Sequence, residues 1–256
     1  MDTQEKEIWL HVGMPKCGST TIQHYMAQNS ETNLQHGLCY PQAWRSEGGY
    51  RSHLPLARAR ADELKEAVAA IAAEAGETPR VLLSCEDWTS AVTLGNALPL
   101  IEVLREAMPD RTVRVVAYFR NVYSFIESSY AQFLKGGLLG IPKHKFFSGP
   151  EPRLKRFMNQ FEKARGFPLY STLGYAQHLK FWFPKGSLTL RSIEAADLPS
   201  GDMIQDLCAL LDVPFQGSMA SRNTRLSNRK VAELEFIQTL VGQKAYSQLR
   251  QDLLNT

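Results

Sequence analysis

The chain has 256 residues, 44% hydrophobic and 21% charged, with a formal net charge of +3; that balance excludes a disordered chain and suits one α/β domain with a sizeable core. The charge is too mild to imply nucleic-acid binding, though it favours a small anionic ligand, and no apolar run nears the ~20 residues that would span a membrane. Cys17, Cys39, Cys85 and Cys208 form no Cys-x-x-Cys pair and no Cys/His cluster, which predicts a reduced, cytoplasmic chain without structural zinc.

The polar, acidic N-terminus is unlike a signal peptide. Ile8 to Val12 is a short apolar run closed by Gly13 and Pro15, and Ile22 to Gln28 follows with helical period. The first reads as a buried strand and the second as a helix. Between them lie Lys16, Cys17, Gly18, Ser19, Thr20 and Thr21. A strand, a glycine turn and a helix start bring free backbone N–H groups and the positive end of a helix dipole onto an anion. Gly18 permits close backbone approach, and the three hydroxyls add donors. Gly13 and Gly18 have the separation of the nucleoside-triphosphate loop G-x-x-x-x-G-K-[ST], but Ser19 stands where its lysine belongs and Lys16 lies inside the loop. The phosphate cradle is kept; the γ-phosphate and magnesium apparatus is not. An ordinary strand–turn–helix with a solvated lysine is the competing reading.

Residues 30–60 are polar and punctuated by Gly and Pro, which predicts a long loop with a short edge strand within Gly37–Pro41. Arg51 and His53 sit in it, and a loop histidine is more often surface polar than catalytic. Residues 58–75 predict a helix ended by Gly76 and Pro79. Arg80 to Trp88 reads as a second buried strand with Glu86 and Asp87 at its carboxyl end, where open parallel sheets collect ligands. Asp87 equally suits a helix N-cap. Leu98 to Met108 is an amphipathic helix. Arg111 to Phe119 is a third strand, leading through Arg120 and Asn121 into a helical stretch with Ser128 two turns on. A guanidinium fork and a hydroxyl suit a phosphate monoester; an arginine capping a helix and a serine on a wet face fit too.

Residues 135–152 form a Gly-, Pro- and Lys-containing loop that suits a lid, followed by a helix at 153–165. In Gly174–Pro184 the spacing puts Tyr175, Leu179 and Trp182 on one helix face, read as core, with Tyr175 bordering a site. Ser187 to Arg191 is a fourth strand and 197–212 a further helix. Polar residues 218–229 carry Arg222, Arg225 and Arg229 before final helices at 228–241 and 243–254. Strands alternating with helices predict an α/β fold of three layers, α/β/α, with a mainly parallel central sheet.

Pro15-Lys16-Cys17-Gly18-Ser19-Thr20 after a strand resembles the 5′-phosphosulfate loop of sulfotransferases that use 3′-phosphoadenosine 5′-phosphosulfate (PAPS). Arg120-Asn121, with Ser128-Ser129-Tyr130, resembles the family's 3′-phosphate motif and follows in the expected order. Gly174–Pro184 resembles its helix with Tyr, Leu, Trp and Phe-Pro. The resemblance runs over about residues 8–212 and is specific at the first two motifs. It implies a single domain over 1–256, with the C-terminal helices from about 228 packed on it and a P-loop-like cradle.

The implied reaction moves a sulfuryl group from PAPS to a hydroxyl or amine of a carbohydrate or small metabolite. It leaves 3′-phosphoadenosine 5′-phosphate (PAP) and requires no metal. Lys16 would neutralise the leaving oxygen. Lys16, Cys17, Gly18, Ser19, Thr20 and Thr21 would hold the 5′-phosphate, and Arg120 and Ser128 the 3′-phosphate. Arg222 and Arg225 are candidates for a late basic loop, although the usual Arg-Lys-Gly is missing. Glu86 would be the general base, with Asp87 and His53 as alternatives; His53, Trp88 and Tyr175 are candidate acceptor contacts. Ser84-Cys85-Glu86 places the chain nearer the carbohydrate, heparan-sulfate and bacterial branch than the steroid and phenol branch, which has Lys-Thr-His there. A P-loop nucleotide kinase and a non-catalytic nucleotide-binding protein remain alternatives. Both need the displaced lysine to be tolerated, and neither accounts for Arg120 with Ser128.

Overall fold

Five strands, all parallel, make one sheet: β1 (Lys6–His11), β2 (Leu38–Cys39), β3 (Arg80–Ser84), β4 (Arg111–Phe119) and β5 (Leu188–Ser192). Their order is β2-β3-β1-β4-β5. β1 is central, with Leu10 opposite Leu83 of β3 on one side and Val115 of β4 on the other. Strands covered on both faces are continuously apolar rather than alternating, and Ile8, Leu10, Val81, Leu82, Leu83, Val115 and Val116 are all buried. The computed structural model describes residues 5–48, 51–89, 98–136, 150–165, 171–183, 186–217 and 230–236.

The helices are α1 (Ser19–Gln28), α2 (Ser30–Gln35), α3 (Leu54–Ala57), α4 (Ala61–Ala75), α5 (Leu98–Ala107), α6 (Val122–Gly136), α7 (Arg153–Arg165), α8 (Thr172–Trp182) and α9 (Met203–Leu210). α4 packs on α5 and α5 on β4, while α1 packs on α2 and α9. Helices flanking a parallel sheet are the layered α/β arrangement expected from the sequence.

Two element predictions need correction. The 30–60 stretch is not all loop: α2 and α3 lie in it beside the expected edge strand β2. α2 is polar, with Leu34 exposed and Asn33 buried, so it lacks the apolar stripe that marks a helix in sequence. In α3, Pro55 falls in the first turn, where its missing N–H costs nothing. The helix expected over 197–212 is a 3-10 turn at Ala195–Asp197 followed by α9. The chain restarts at Asp202, whose Oδ1 accepts from the N–H groups of Ile204 (2.7 Å) and Gln205 (2.9 Å).

The chain divides into two compact units. Residues 1–121 and 175–221 hold the whole sheet, and residues 122–174 and 222–256 form the other. In the second unit the buried Phe125, Phe133, Phe157 and Phe161 form the core, with Phe133 and Phe157 centroids 5.2 Å apart. There the Tyr130 hydroxyl donates to Glu235 at 3.0 Å, and Arg153 pairs with the same carboxylate at 3.5 Å. Of the expected lid over 135–152, residues 137–149 lie outside the described residues, as do 218–229 and 237–256; 230–236 is helical.

Candidate active site

β1 and β4 are neighbours, but the chain leaving β1 re-enters the sheet at β2 on one edge, and the chain leaving β4 re-enters at β5 on the other. Such a switch point opens a crevice beyond the carboxyl ends of the strands. Lys16 follows β1 there, and Arg120 follows β4.

The loop after β1 turns through two left-handed residues, Lys16 (φ 63°) and Gly18 (φ 83°). Gly18 precedes α1, and its backbone conformation favours glycine; a β-carbon on it would lie 2.5 Å from the Met203 methyl, which would have to shift. For Lys16 the same region is unfavourable, and residues held in this way cluster where a ligand is gripped. The first turn of α1 has no acidic residue and no side-chain cap, leaving that end of the helix to attract an anion. Exposure alternates along the loop. Lys16, Gly18, Thr20 and Thr21 are partly exposed, whereas Cys17 and Ser19 are buried. Burial pushes the Cys17 thiol up to about 12, so Cys17 stays a neutral, buried thiol.

The end of β3 is stitched to this loop. The Ser19 hydroxyl donates to Glu86 Oε2 at 2.6 Å, and the buried Thr89 hydroxyl donates to the Gly13 carbonyl. Glu86 is partly buried, two residues past the strand. Asp87, the alternative base, is paired with Arg58 at 3.2 Å. Trp88 is only 3% exposed, so it serves the core rather than an acceptor. Thr89 had no sequence signal, because a threonine after a tryptophan fits any helix start.

His53 is not the mobile loop residue that the sequence allowed. It is fully buried, its Nδ1 accepting from the Ser84 N–H at 3.1 Å. That leaves Nε2 to donate to the Pro41 carbonyl at 3.2 Å. Both ring nitrogens are committed, and burial drives its pKa down to about 3. His11, at the end of β1, is buried too: Nδ1 meets Ser84 Oγ at 2.8 Å, and Gln23 donates to the same oxygen at 3.2 Å. Burial lowers the His11 pKa to about 4. These histidines brace the floor of the loop as neutral groups.

On the β4 side, Arg120 Nη1 donates to the Lys16 carbonyl at 3.3 Å, so the two motifs meet. Glu194, after β5, accepts from the backbone N–H (3.0 Å) and side-chain amide (2.7 Å) of Asn121, which holds its carboxyl below the usual range. Tyr175 is fully buried, its ring centroid 5.7 Å from that of Phe119 and its hydroxyl donating to the Val12 carbonyl at 3.3 Å. It supports the root of the loop rather than bordering an acceptor. Ser128 belongs to the second unit, where it is half-buried on α6. Arg222 and Arg225 lie outside the described residues.

All four cysteines are free and buried. Among the described residues no group of three or more His, Cys, Asp and Glu is placed to hold a metal ion, and no helix is long and apolar enough to cross a membrane.

No protein-family model matches the chain, and no curated protein sequence does. Solved structures similar to it include two sulfotransferases. One is a sulfotransferase from Alicyclobacillus acidocaldarius, 14% identical, with a TM-score of 0.45, covering 94% of this chain and 99% of that one. The other is mouse sulfotransferase SULT7A1 complexed with PAP, 13% identical, with a TM-score of 0.38, covering 91% of this chain and 65% of that one.

Proposed function

We propose that the chain is a PAPS-dependent sulfotransferase acting on a hydroxyl or amine of a carbohydrate or small metabolite. The observation that carries this reading is the contact between Arg120 and the Lys16 carbonyl. It joins two anion-binding motifs, 104 residues apart in sequence, at the switch point of a parallel sheet. A single phosphate site would use one of them; a donor with phosphates at both its 5′ and 3′ positions uses both.

PAPS supplies an activated sulfuryl group on its 5′-phosphate. The α1 N-terminus, with Gly18, Thr20 and Thr21, holds that phosphate, and Arg120 meets the 3′-phosphate. The contact assigned to Ser128 rests on the sequence motif. Sulfuryl transfer needs in-line positioning and charge stabilisation on the leaving phosphate. The acceptor oxygen or nitrogen forms its bond to sulfur as the bridging S–O bond breaks. The electron pair goes to the leaving bisphosphate, where Lys16 offsets the charge. Glu86 takes the acceptor proton. It lies at the carboxyl end of β3 and is joined to the loop through Ser19, whereas Asp87 is paired with Arg58. Ser84-Cys85-Glu86 favours a carbohydrate-type acceptor over a phenol or steroid.

The test is a thermal-shift comparison of PAP, AMP and ADP without magnesium. PAP should stabilise the chain most, by ~2.7 kcal/mol at ~100 times its dissociation constant. Equal stabilisation by AMP would remove the 3′-phosphate site. Binding of ATP or GTP that depended on magnesium would favour the kinase or nucleotide-binding reading instead.

A further inference from the structure

Ser19 sits in the phosphate loop, yet its side chain is only 3% exposed and its hydroxyl donates to Glu86 at 2.6 Å. A serine hydroxyl has one hydrogen to give. Ionised Glu86 and a phosphate dianion are both acceptors only, so the hydroxyl serves one or the other. The neighbouring donors differ: Thr20 and Thr21 are partly exposed on α1. Ser19 lies between the anion cradle and the carboxylate.

We propose that Ser19 couples donor binding to the general base, its single hydrogen bond passing from Glu86 to the 5′-phosphate oxygen when the donor occupies the loop. The inference rests on the donor reading given above. A hydrogen bond to a carboxylate favours its charged form and weakens it as a base. While Ser19 is bonded to Glu86, the carboxylate is held in place and poorly basic. Once the phosphate claims the hydroxyl, Glu86 loses that bond and is the more basic for it when it meets the acceptor's proton. Ser19 is thus a positioning residue: it acts on the reaction through Glu86.

A double-mutant cycle on PAP affinity isolates this coupling, using calorimetry of the wild type, Glu86→Gln, Ser19→Ala and the double variant. Removing the carboxylate charge tightens PAP by the same factor in both Ser19 and Ser19→Ala backgrounds. Weakening of the Ser19 bond, whose acceptor is now a neutral amide oxygen, adds to that factor only where Ser19 is present. Glu86→Gln should therefore improve PAP affinity roughly three- to tenfold more with Ser19 than in the Ser19→Ala background. Ser19→Cys, similar in volume but a weak donor, provides a second background and should give an intermediate ratio. Adenosine 3′-phosphate, which has no 5′-phosphate, should give equal factors in every background. Equal factors for PAP itself would overturn the coupling and leave the donor reading intact. Failure of the wild type to bind PAP would overturn the donor reading, and this inference with it.

Discussion

On the proposed sulfuryl-transfer reading, Lys16 and Arg120 carry their charges for different moments of the reaction. Arg120 offers a fixed fork to a phosphate whose charge is the same before and during transfer, and it also holds the Lys16 carbonyl. Arg120→Ala should therefore chiefly weaken PAP binding and raise the donor KM. Lys16 meets charge that develops as the S–O bond breaks, so Lys16→Ala should depress kcat more than it weakens PAP. Steady-state kinetics paired with PAP calorimetry separates the two, and a Lys16→Ala variant that raised only the donor KM would remove the leaving-group role. Both residues were legible in the sequence because each sits in a short motif at a strand-to-helix turn. His53 was misread for the opposite reason. Its surroundings are Ser84 and Pro41, on segments distant in sequence, and nothing local marks it as buried. The bond from Ser19 to Glu86 spans 67 residues and was equally hidden.

Among the elements, β1, β3, β4 and β5 could be read directly, since each is a short apolar run bounded by Gly, Pro or charge. α2 could not, having no apolar face to betray it. The start of α9 illustrates a local rule that outweighs a longer pattern. Hydrophobic periodicity runs on from Leu198, but the Asp202 cap sets the helix start at Met203. That start matters to the loop, because Met203 is the side chain against which Gly18 is seated. Asp202→Ala removes the acceptor for two N–H groups and should cost about 1 kcal/mol of stability. Asp202→Asn should cost little. Urea unfolding of the two variants checks this, and equal midpoints would show that the cap does not hold α9.

For the molecule as a whole, the two buried neutral histidines set an acid limit. Their folded pKa values, about 4 for His11 and about 3 for His53, lie below the ordinary 6.5, so the unfolded chain binds protons that the folded one refuses. Stability contributed in this way is complete above about pH 6.5 and is lost as pH falls toward 4. The slope is about 1.4 kcal/mol per pH unit for each histidine, or about 2 kcal/mol each by pH 5. Asp62, Asp110 and Glu194, whose pKa values are lowered by their partners, act in the same direction but only below about pH 4. Urea midpoints at pH 7, 6 and 5 should fall steadily; a flat profile over that interval would mean that the histidines are not held neutral.

The central position of β1 also has a price in time. Its neighbours are β3 and β4, so Leu10 waits for Leu83 and Val115 before both of its edges are paired. At roughly 5–20 residues per second of translation, the last of those partners emerges some 5–20 s after β1. During that interval Ile8, Trp9 and Leu10 are an unpaired apolar edge, open to other nascent chains. The strand that leads into the Gly13–Gly18 loop is thus open to wrong pairing while the chain is being synthesised. Yield in cells should then follow translation rate and holdase supply more closely than the equilibrium stability of the finished fold.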